Sequence, residues 1–259
     1  MRRCRSIPSM VNMSASDSAV FHRAIGMGIS ALGLAAPWSC AGCGVAEHSW
    51  CPTCADELAG PVVSRQPNPS PAGLPPVFQC APYAGSVRQG IIAWKDRGRR
   101  DMAAPLSAAL ARVLAEVVPH EQEVIVVPIP SNPAATRQRG EDVLLRVVRR
   151  AVRELPMSLP VISALVHRRS VHDQSSLGAT ERRTNLDNAL RCVAVPPGAT
   201  VIVVDDVITT GATLAEATRA LSAAGAQVLA AAMIAGTERR RRPKSPVDCS
   251  GSAHGSSLG

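Results

Sequence analysis

Residues 201–213 read VIVVDDVITTGAT, and this stretch decides the fold. Its first four residues are all Val or Ile, which is typical of a strand buried on both faces of a sheet. Two carboxylates, Asp205 and Asp206, follow where the strand is expected to leave its sheet. A turn of small residues then opens a helix with an apolar face. The sequence therefore predicts a strand, an acidic pair and a helix N-terminus in direct succession.

This succession is suited to binding a phosphate next to a polar group. Hydroxyls, a glycine and free backbone N–H groups at a helix N-terminus form a favourable anion site. The neighbouring carboxylates can reach hydroxyl groups of a ligand or a metal ion. The alternative is an ordinary buried strand followed by a Thr-capped helix. Adjacent carboxylates cost folding free energy through repulsion and desolvation, which favours the functional interpretation.

Apolar runs alternate with amphipathic segments over residues 124–235. We expect strands at 124–127, 161–166, 190–195, 201–204 and 228–235, and helices at 102–118, 141–155 and 213–225. Alternation of this kind predicts an α/β fold, a parallel sheet with helices on both faces.

Four cysteines form two C-x₂-C pairs, Cys40 with Cys43 and Cys51 with Cys54. Four thiolates at this spacing predict one structural Zn²⁺ site, because they fill all four tetrahedral positions. Disulfides and a redox C-x-x-C motif are the alternatives. Cysteines three residues apart rarely form structural disulfides, and no thioredoxin-like context surrounds the pairs. We also expect the zinc site to be dispensable for ligand binding.

The composition places the positive charge at the chain ends. The formal net charge is +8, of which residues 1–23 and 237–259 each carry +3. Basic tails can contact nucleic acid, although solvated, disordered ends are the commoner explanation. Only 2% of residues are aromatic, which argues against a stacking platform for single-stranded DNA.

The sequence also suggests domain boundaries and a cellular compartment. We expect a poorly ordered tail over 1–36, a zinc module over 37–58, a Pro-rich extended linker over 59–81, the main domain over 82–236 and a disordered basic tail over 237–259. No apolar run reaches 18 residues, so no membrane span is predicted. Residues 24–36 imitate a short signal-peptide core, but the metal spacing of the cysteines favours a cytoplasmic protein.

The order of motifs resembles a known family. The cysteine quartet is followed by YAGSVRQGIIAWK at 83–95, IVVPIP at 125–130, QRG at 138–140, HRRSVHDQ at 167–174, ERRTNL at 181–186 and VVDDVITTGAT at 203–213. The last motif resembles the phosphoribosyl pyrophosphate (PRPP) motif of type I phosphoribosyltransferases. The whole order resembles the ComF family of competence-associated proteins within that superfamily. One departure is Glu141 and Asp142 after Gly140, where the family pattern continues RGFNQ.

The resemblance implies roles for particular residues. Asp205 and Asp206 would address the ribose hydroxyls of PRPP, and Mg²⁺ would accompany it. The 5-phosphate would be held by Thr209, Thr210, Gly211, Ala212 and Thr213, and we expect a side chain at Gly211 to block it. The pyrophosphate would be bound by Ile129, Ser131, Asn132 and Lys95. Arg182 and Arg183 would lie in a lid over the reacting centre.

Some residues of these motifs have open assignments. His167 and His172 are candidates for general acid–base roles in the lid, with ordinary surface histidines as the alternative. Arg137 and Arg139 are candidates for anion or partner contacts.

Three functions are compatible with these features. The first is an active phosphoribosyltransferase acting on an unknown acceptor, and the second is a non-catalytic PRPP or nucleotide-binding protein. The third, implied by the resemblance, is an accessory of DNA uptake that binds single-stranded DNA or a DNA-uptake helicase.

Overall fold

A five-stranded sheet forms the centre of the structure. The computed structural model describes residues 39–119, 122–168 and 188–237, all within one unit. The helices are α1 (Pro52–Leu58), α2 (Gly85–Asp96), α3 (Ala103–Val117), α4 (Pro133–Arg139), α5 (Val143–Arg153) and α6 (Ala212–Ala223). The strands are β1 (Val63–Ser64), β2 (Val77–Pro82), β3 (Ile125–Pro128), β4 (Leu165–His167), β5 (Leu190–Cys192), β6 (Thr200–Ile208) and β7 (Gln227–Gly236).

The sheet has the order β1-β2-β7-β6-β3. Strands β2, β7, β6 and β3 are parallel, and β1 adds an antiparallel edge. Strands β4 and β5 pair with each other in a separate antiparallel ribbon. Mixed α/β architecture with a mainly parallel sheet confirms the predicted fold class.

Strand β6 lies inside the sheet, and its side chains alternate between two cores. Ile202 and Val204 pack with residues of α2, α3 and α5 on one face. Val201 and Val203 pack with residues of α6, β4 and β5 on the other. All four side chains are fully buried. Both faces of the sheet are therefore covered, as the apolar run predicts.

Strand β6 is longer than the sequence predicts. It was expected to end at residue 204, but it continues through both aspartates to Ile208. Its neighbour β7 supplies ladder partners along this extension, with Asp205 opposite Met233. On the other side β3 ends at Pro128, opposite Val204. The acidic pair therefore lies on a strand that projects beyond β3.

The segment predicted as a linker, residues 59–81, is partly core. Strand β2 begins at Val77, which is fully buried, and pairs with β7 in the central sheet. The many prolines of the segment lie mainly before β2, and they conceal the short strand in a composition-based prediction. Residues 65–76, which we name the Pro-rich loop, connect β1 to β2.

Two other predicted strands are shorter than expected. In place of 161–166 the structure has β4, and Val161 makes only an isolated bridge to Val126. In place of 190–195 it has β5. Strands β4 and β5 pair only with each other, and residues 160–162 reach the central sheet only at Val126.

The predicted tail at 1–36 and all of the tail at 237–259 except residue 237 lie outside the described residues. Within the ranges given above, no helix has the length and apolar character to cross a bilayer.

Candidate functional site

The turn between β6 and α6 presents hydroxyls at a helix N-terminus. Gly211 is the N-cap of α6 with φ 77° and ψ 1°, a left-handed conformation that favours glycine. Thr209, Thr210 and Thr213 are exposed around it. The Thr210 Oγ1 accepts from the Ala212 N–H at 3.4 Å. The turn thus has the groups that bind a phosphate at a helix start.

The other side of this turn is covered by the Pro-rich loop. Gly211 is buried, and a Cβ added to it would lie 2.9 Å from Pro67 and 3.0 Å from Leu74. The ends of the loop are joined by the Gln66 side chain, which donates to the Pro75 carbonyl at 2.8 Å. A side chain at Gly211 would therefore meet the Pro-rich loop first. This differs from the sequence-based expectation that it would meet the phosphate.

Helix α6 is fixed by a buried carboxylate. Glu216 accepts from the Leu190 N–H at 2.9 Å and from the Arg219 guanidinium at 2.6 and 2.8 Å. Burial alone would raise the pKa of Glu216, but these hydrogen bonds outweigh it and lower the pKa. The contacts join α6 to β5 and so hold the helix that follows residues 209–213, which we name the phosphate turn after its predicted ligand.

Asp205 and Asp206 form a closely coupled acidic pair. The Asp205 carboxylate accepts from the Asp206 N–H at 2.8 Å, and the Asp206 carboxylate accepts from the Val207 N–H at 2.9 Å. Burial, followed by the charge of Asp206, raises the pKa of Asp205 well above its usual range. A cation or a hydroxyl donor at this point would relieve the repulsion.

Lys95 supplies such a cation. It lies in the last turn of α2, and its Nζ forms an ion pair with the Asp206 carboxylate. Burial would lower the pKa of Lys95, but the charge and hydrogen bond of Asp206 outweigh it and raise the pKa. The resemblance implied that Lys95 contacts the pyrophosphate. In this structure Lys95 contacts Asp206, which the resemblance assigns to the ribose hydroxyls.

The turn after β3 brings Ile129, Ser131 and Asn132 to the same region. The Ile129 N–H donates to the Val204 carbonyl at 2.8 Å, so this amide is engaged with β6. The Ser131 hydroxyl donates to Asp142 at 2.9 Å. The Asn132 side chain accepts from the Ala134 N–H at 2.8 Å and caps α4. The contact between Ser131 and Asp142 was not predicted from the sequence.

These elements enclose a cleft of about 440 Å³. Eight predicted site residues line it, namely Lys95, Ile129, Ser131, Asn132, Asp205, Asp206, Thr209 and Thr213. Thr210, Gly211 and Ala212 belong to the same turn but are not among its lining residues. Arg182, Arg183 and His172 lie outside the described residues.

Three further residues contribute to this region. Arg139 lines the cleft, and its guanidinium donates to the Lys95 carbonyl at 2.6 Å. Tyr83 also lines the cleft and was not singled out as a site residue; its position at the start of the YAGSVRQGIIAWK motif was the one signal for it in the sequence. His167 places its Nε2 3.2 Å from the Ser131 carbonyl, which links β4 to this turn.

The four cysteines converge as their spacing predicts. Their sulfur atoms all lie within 4.8 Å of one another. The Cys40–Cys54 and Cys43–Cys51 sulfur pairs are both 3.6 Å apart, too far for disulfide bonds. Four thiolates around one zinc ion, each at about 2.3 Å, would have sulfurs about 3.8 Å apart.

The electrostatics of Cys40 also suit a metal ligand. Burial would raise the pKa of Cys40, but backbone hydrogen bonds from Cys43, Cys51 and Gly42 lower it to about 6. Burial, the largest cause, raises the pKa of Cys54 instead, so this effect is not shared by all four thiols. The fit of the cluster to a metal such as zinc therefore rests on the positions of its sulfur atoms.

A mainly parallel α/β sheet, a phosphate turn at a helix start and an acidic pair on the preceding strand define the type I phosphoribosyltransferase fold. The chain belongs to the phosphoribosyl transferase domain family, whose model matches residues 104–253. Among solved structures it is similar to an adenine phosphoribosyltransferase at 16% identity and a TM-score of 0.34, over 71% of this chain and 89% of that chain. No curated protein matches the sequence. The narrower resemblance to the ComF family stays a prediction from the motifs.

Proposed function

We propose that the protein binds PRPP with Mg²⁺ and transfers its phosphoribosyl group to an acceptor. The observation that carries this proposal is the shared cleft: Thr209 and Thr213 of the phosphate turn line it together with Asp205 and Asp206. A phosphate group and the ribose attached to it are small enough to contact both sets at once. Membership of the phosphoribosyl transferase domain family supports the same ligand.

Each part of the cleft has a proposed role. Residues 209–213 hold the 5-phosphate through hydroxyls and backbone N–H groups, and the acidic pair accepts hydrogen bonds from the ribose. Ser131, Asn132 and Lys95 face the pyrophosphate side, and Ile129 shapes the turn while its amide is engaged with Val204. Arg182 and Arg183 are proposed to screen the departing pyrophosphate.

The proposed chemistry breaks the bond between the ribose C1 and the pyrophosphate oxygen and forms a bond from C1 to the acceptor. Positive charge develops on the sugar as the leaving group departs. Asp205 and Asp206, both on β6, are proposed to stabilise that charge. Mg²⁺, for which their oxygen ligands are suitable, would neutralise charge on pyrophosphate when bound.

A non-catalytic PRPP-binding protein is the second candidate. The ion pair between Lys95 and Asp206 favours it, because Lys95 already occupies one of the two carboxylates. A role in competence, DNA uptake or binding of single-stranded DNA or a helicase stays a prediction from the motif resemblance.

Calorimetric titration with PRPP, with and without Mg²⁺, tests the proposal. The variant carrying Asp205→Asn and Asp206→Asn should lose Mg²⁺-dependent affinity, whereas Asp56→Asn, an exposed change on α1, should not. Equal PRPP affinity in the wild type and the double variant would refute the assignment of the acidic pair. Pyrophosphate release over a panel of bases then separates a transferase from a binding protein.

A further inference from the structure

Helix α2 lies between the cysteine cluster and the ligand cleft. Near its start, the Ser86 hydroxyl donates to Glu57 of α1 at 2.6 Å. Ser86 and the Cys54 sulfur also both border Gly42, where an added Cβ would lie 2.8 Å and 2.9 Å from them. In its last turn, Lys95 forms the ion pair with Asp206. One rigid element therefore packs beside the cysteine-bearing segment near one end and contacts the acidic pair at the other.

The contact between α2 and the cysteine cluster is too close for any added atom. Trp50, next to Cys51, packs against Gly90 in the middle of α2. A Cβ at Gly90 would lie 2.8 Å from the Trp50 ring and 3.0 Å from Met102. A Cβ at Gly42 would likewise lie 2.7 Å from Trp50 and 2.9 Å from the Cys54 sulfur. Close-packed interiors transmit displacements. A shift of Trp50 must therefore either move α2 or change the packing between Trp50 and Gly90.

A second set of contacts lies just beyond the C-terminal end of α2. The Arg99 guanidinium donates to the Ser39 carbonyl at 3.0 Å and to the Ser49 carbonyl at 3.2 Å. The Asp101 carboxylate accepts a hydrogen bond from the same guanidinium at 2.7 Å. The cysteine-bearing segment is thus attached to the helix and to the residues that follow it.

We infer that the cysteine cluster, when it holds its metal, positions Lys95 in the ligand cleft by packing Trp50 against Gly90 of α2. The sequence alone led us to expect a zinc site that is dispensable for ligand binding, and these contacts point the other way. Metal sites of this kind contribute to local folding, so loss of the metal releases Trp50. Helix α2 then loses the Trp50 ring that fixes its position, and Lys95 separates from Asp206.

The chain itself offers a direct probe of this coupling. It has only two lysines, Lys95 and Lys244. Acylation by acetic anhydride requires a neutral amine, and contact with Asp206 keeps the amine of Lys95 protonated. The ratio of Lys95 to Lys244 acylation, measured by mass spectrometry on the full chain, therefore reports the ion pair without any PRPP. Lys244, outside the described residues, serves as the internal reference.

We expect removal of zinc by a chelator to raise the relative acylation of Lys95, because an amine that has separated from Asp206 is no longer held in an ion pair. Re-addition of Zn²⁺ alone should reverse it. Because chelation can also loosen the whole chain, two metal-loaded variants provide a second test. Gly90→Ala and Trp50→Ala should each raise Lys95 acylation at unchanged zinc content and circular dichroism, whereas Arg88→Ala, an exposed change on the same helix, should not.

An unchanged acylation ratio in the metal-free protein overturns the inference. So does wild-type acylation in the folded, metal-loaded Trp50→Ala variant. The inference concerns the cleft of the proposed function but does not require that function. A protein that fails to bind PRPP can still show the coupling, and one that binds PRPP can lack it.

Discussion

Lys95 on α2 and Asp206 on β6 form an ion pair at the base of the cleft. The Asp206 side chain is 3% exposed and that of Lys95 is 39% exposed. The ammonium group therefore neutralises a carboxylate that has little access to water. A ligand that needs Asp206, whether through a ribose hydroxyl or a metal ion, must compete with Lys95 for it.

Removing this internal cation should destabilise the protein. Lys95→Met leaves Asp206 buried beside Asp205 without its counter-ion. Loss of one partner of a fully buried pair costs about 3–5 kcal/mol, and the partial exposure of Lys95 reduces our expectation to about 1–3 kcal/mol. Urea denaturation measures the change in the free energy of unfolding.

The matched control is a double-mutant cycle with Asp206→Asn. The combination Lys95→Met and Asp206→Asn should be more stable than the sum of the single changes predicts. Strict additivity would mean that the pair contributes nothing to stability.

Asp205→Asn should stabilise the ligand-free protein while weakening Mg²⁺-dependent PRPP binding. The amide removes the repulsion with Asp206 and retains an oxygen for the Asp206 N–H. A gain of about 1 kcal/mol would raise Tm by about 2–4 °C in a domain of this size. Differential scanning calorimetry checks the first effect and titration the second; a lower Tm for the variant would contradict our account of the acidic pair.

The same carboxyl predicts a pH dependence. Because the pKa of Asp205 is raised in the folded state, the folded protein retains a proton that the unfolded chain loses above its ordinary pKa of 3.8. Stability should therefore fall as pH rises from 3.8 towards the folded pKa. Above pH 3.8, Tm of the wild type should fall more steeply with rising pH than Tm of Asp205→Asn. Parallel curves for the two proteins would show that Asp205 is not the group responsible.

Gly211→Ala should disturb the Pro-rich loop. The added Cβ would meet Pro67 and Leu74, and the left-handed backbone adds its own cost. Gly198→Ala is the control, since Gly198 has φ +80° and a Cβ added there would have no neighbouring atom within 4 Å. We expect about 1–2 kcal/mol for the backbone alone at Gly198, and about 1–3 kcal/mol more at Gly211 from overpacking.

A second variant tests the contact itself. Leu74→Ala in the Gly211→Ala background should recover part of the overpacking cost, because it removes the Cδ1 atom that the new Cβ would meet at 3.0 Å. Equal free energies of unfolding for Gly211→Ala and Gly198→Ala would show that the Pro-rich loop moves to accommodate the new Cβ without an energetic cost.

Cys54→Ser should release the metal and lower Tm. Cys54 is buried within the cluster, and a serine hydroxyl is a far weaker zinc ligand than a thiolate. Cys192→Ser, on β5 outside the cluster, should leave the metal content unchanged. Elemental analysis under reducing conditions gives the stoichiometry, and full metal retention in Cys54→Ser would remove this residue from the ligand set.

The sequence alone determined the features that depend only on residues close together in the chain. The apolar run at 201–204 predicted a buried strand because only such a run satisfies two covered faces of a sheet. The phosphate turn and the cysteine pairs were visible because their groups are neighbours along the chain. The fold class and the convergence of the four cysteines are confirmed on that basis.

Tertiary structure decided which distant groups meet. No local pattern showed that Lys95 would reach Asp206, or that the Ile129 amide would be engaged by Val204. The composition of residues 59–81 concealed β2, since a strand between two others is set by pairing with β7 and not by its own propensity. The Pro-rich loop covers Gly211 only because β1 and β2 bring its two ends together beside α6. Contacts of this kind depend on packing between elements far apart in the chain, which the periodicity of each element does not specify.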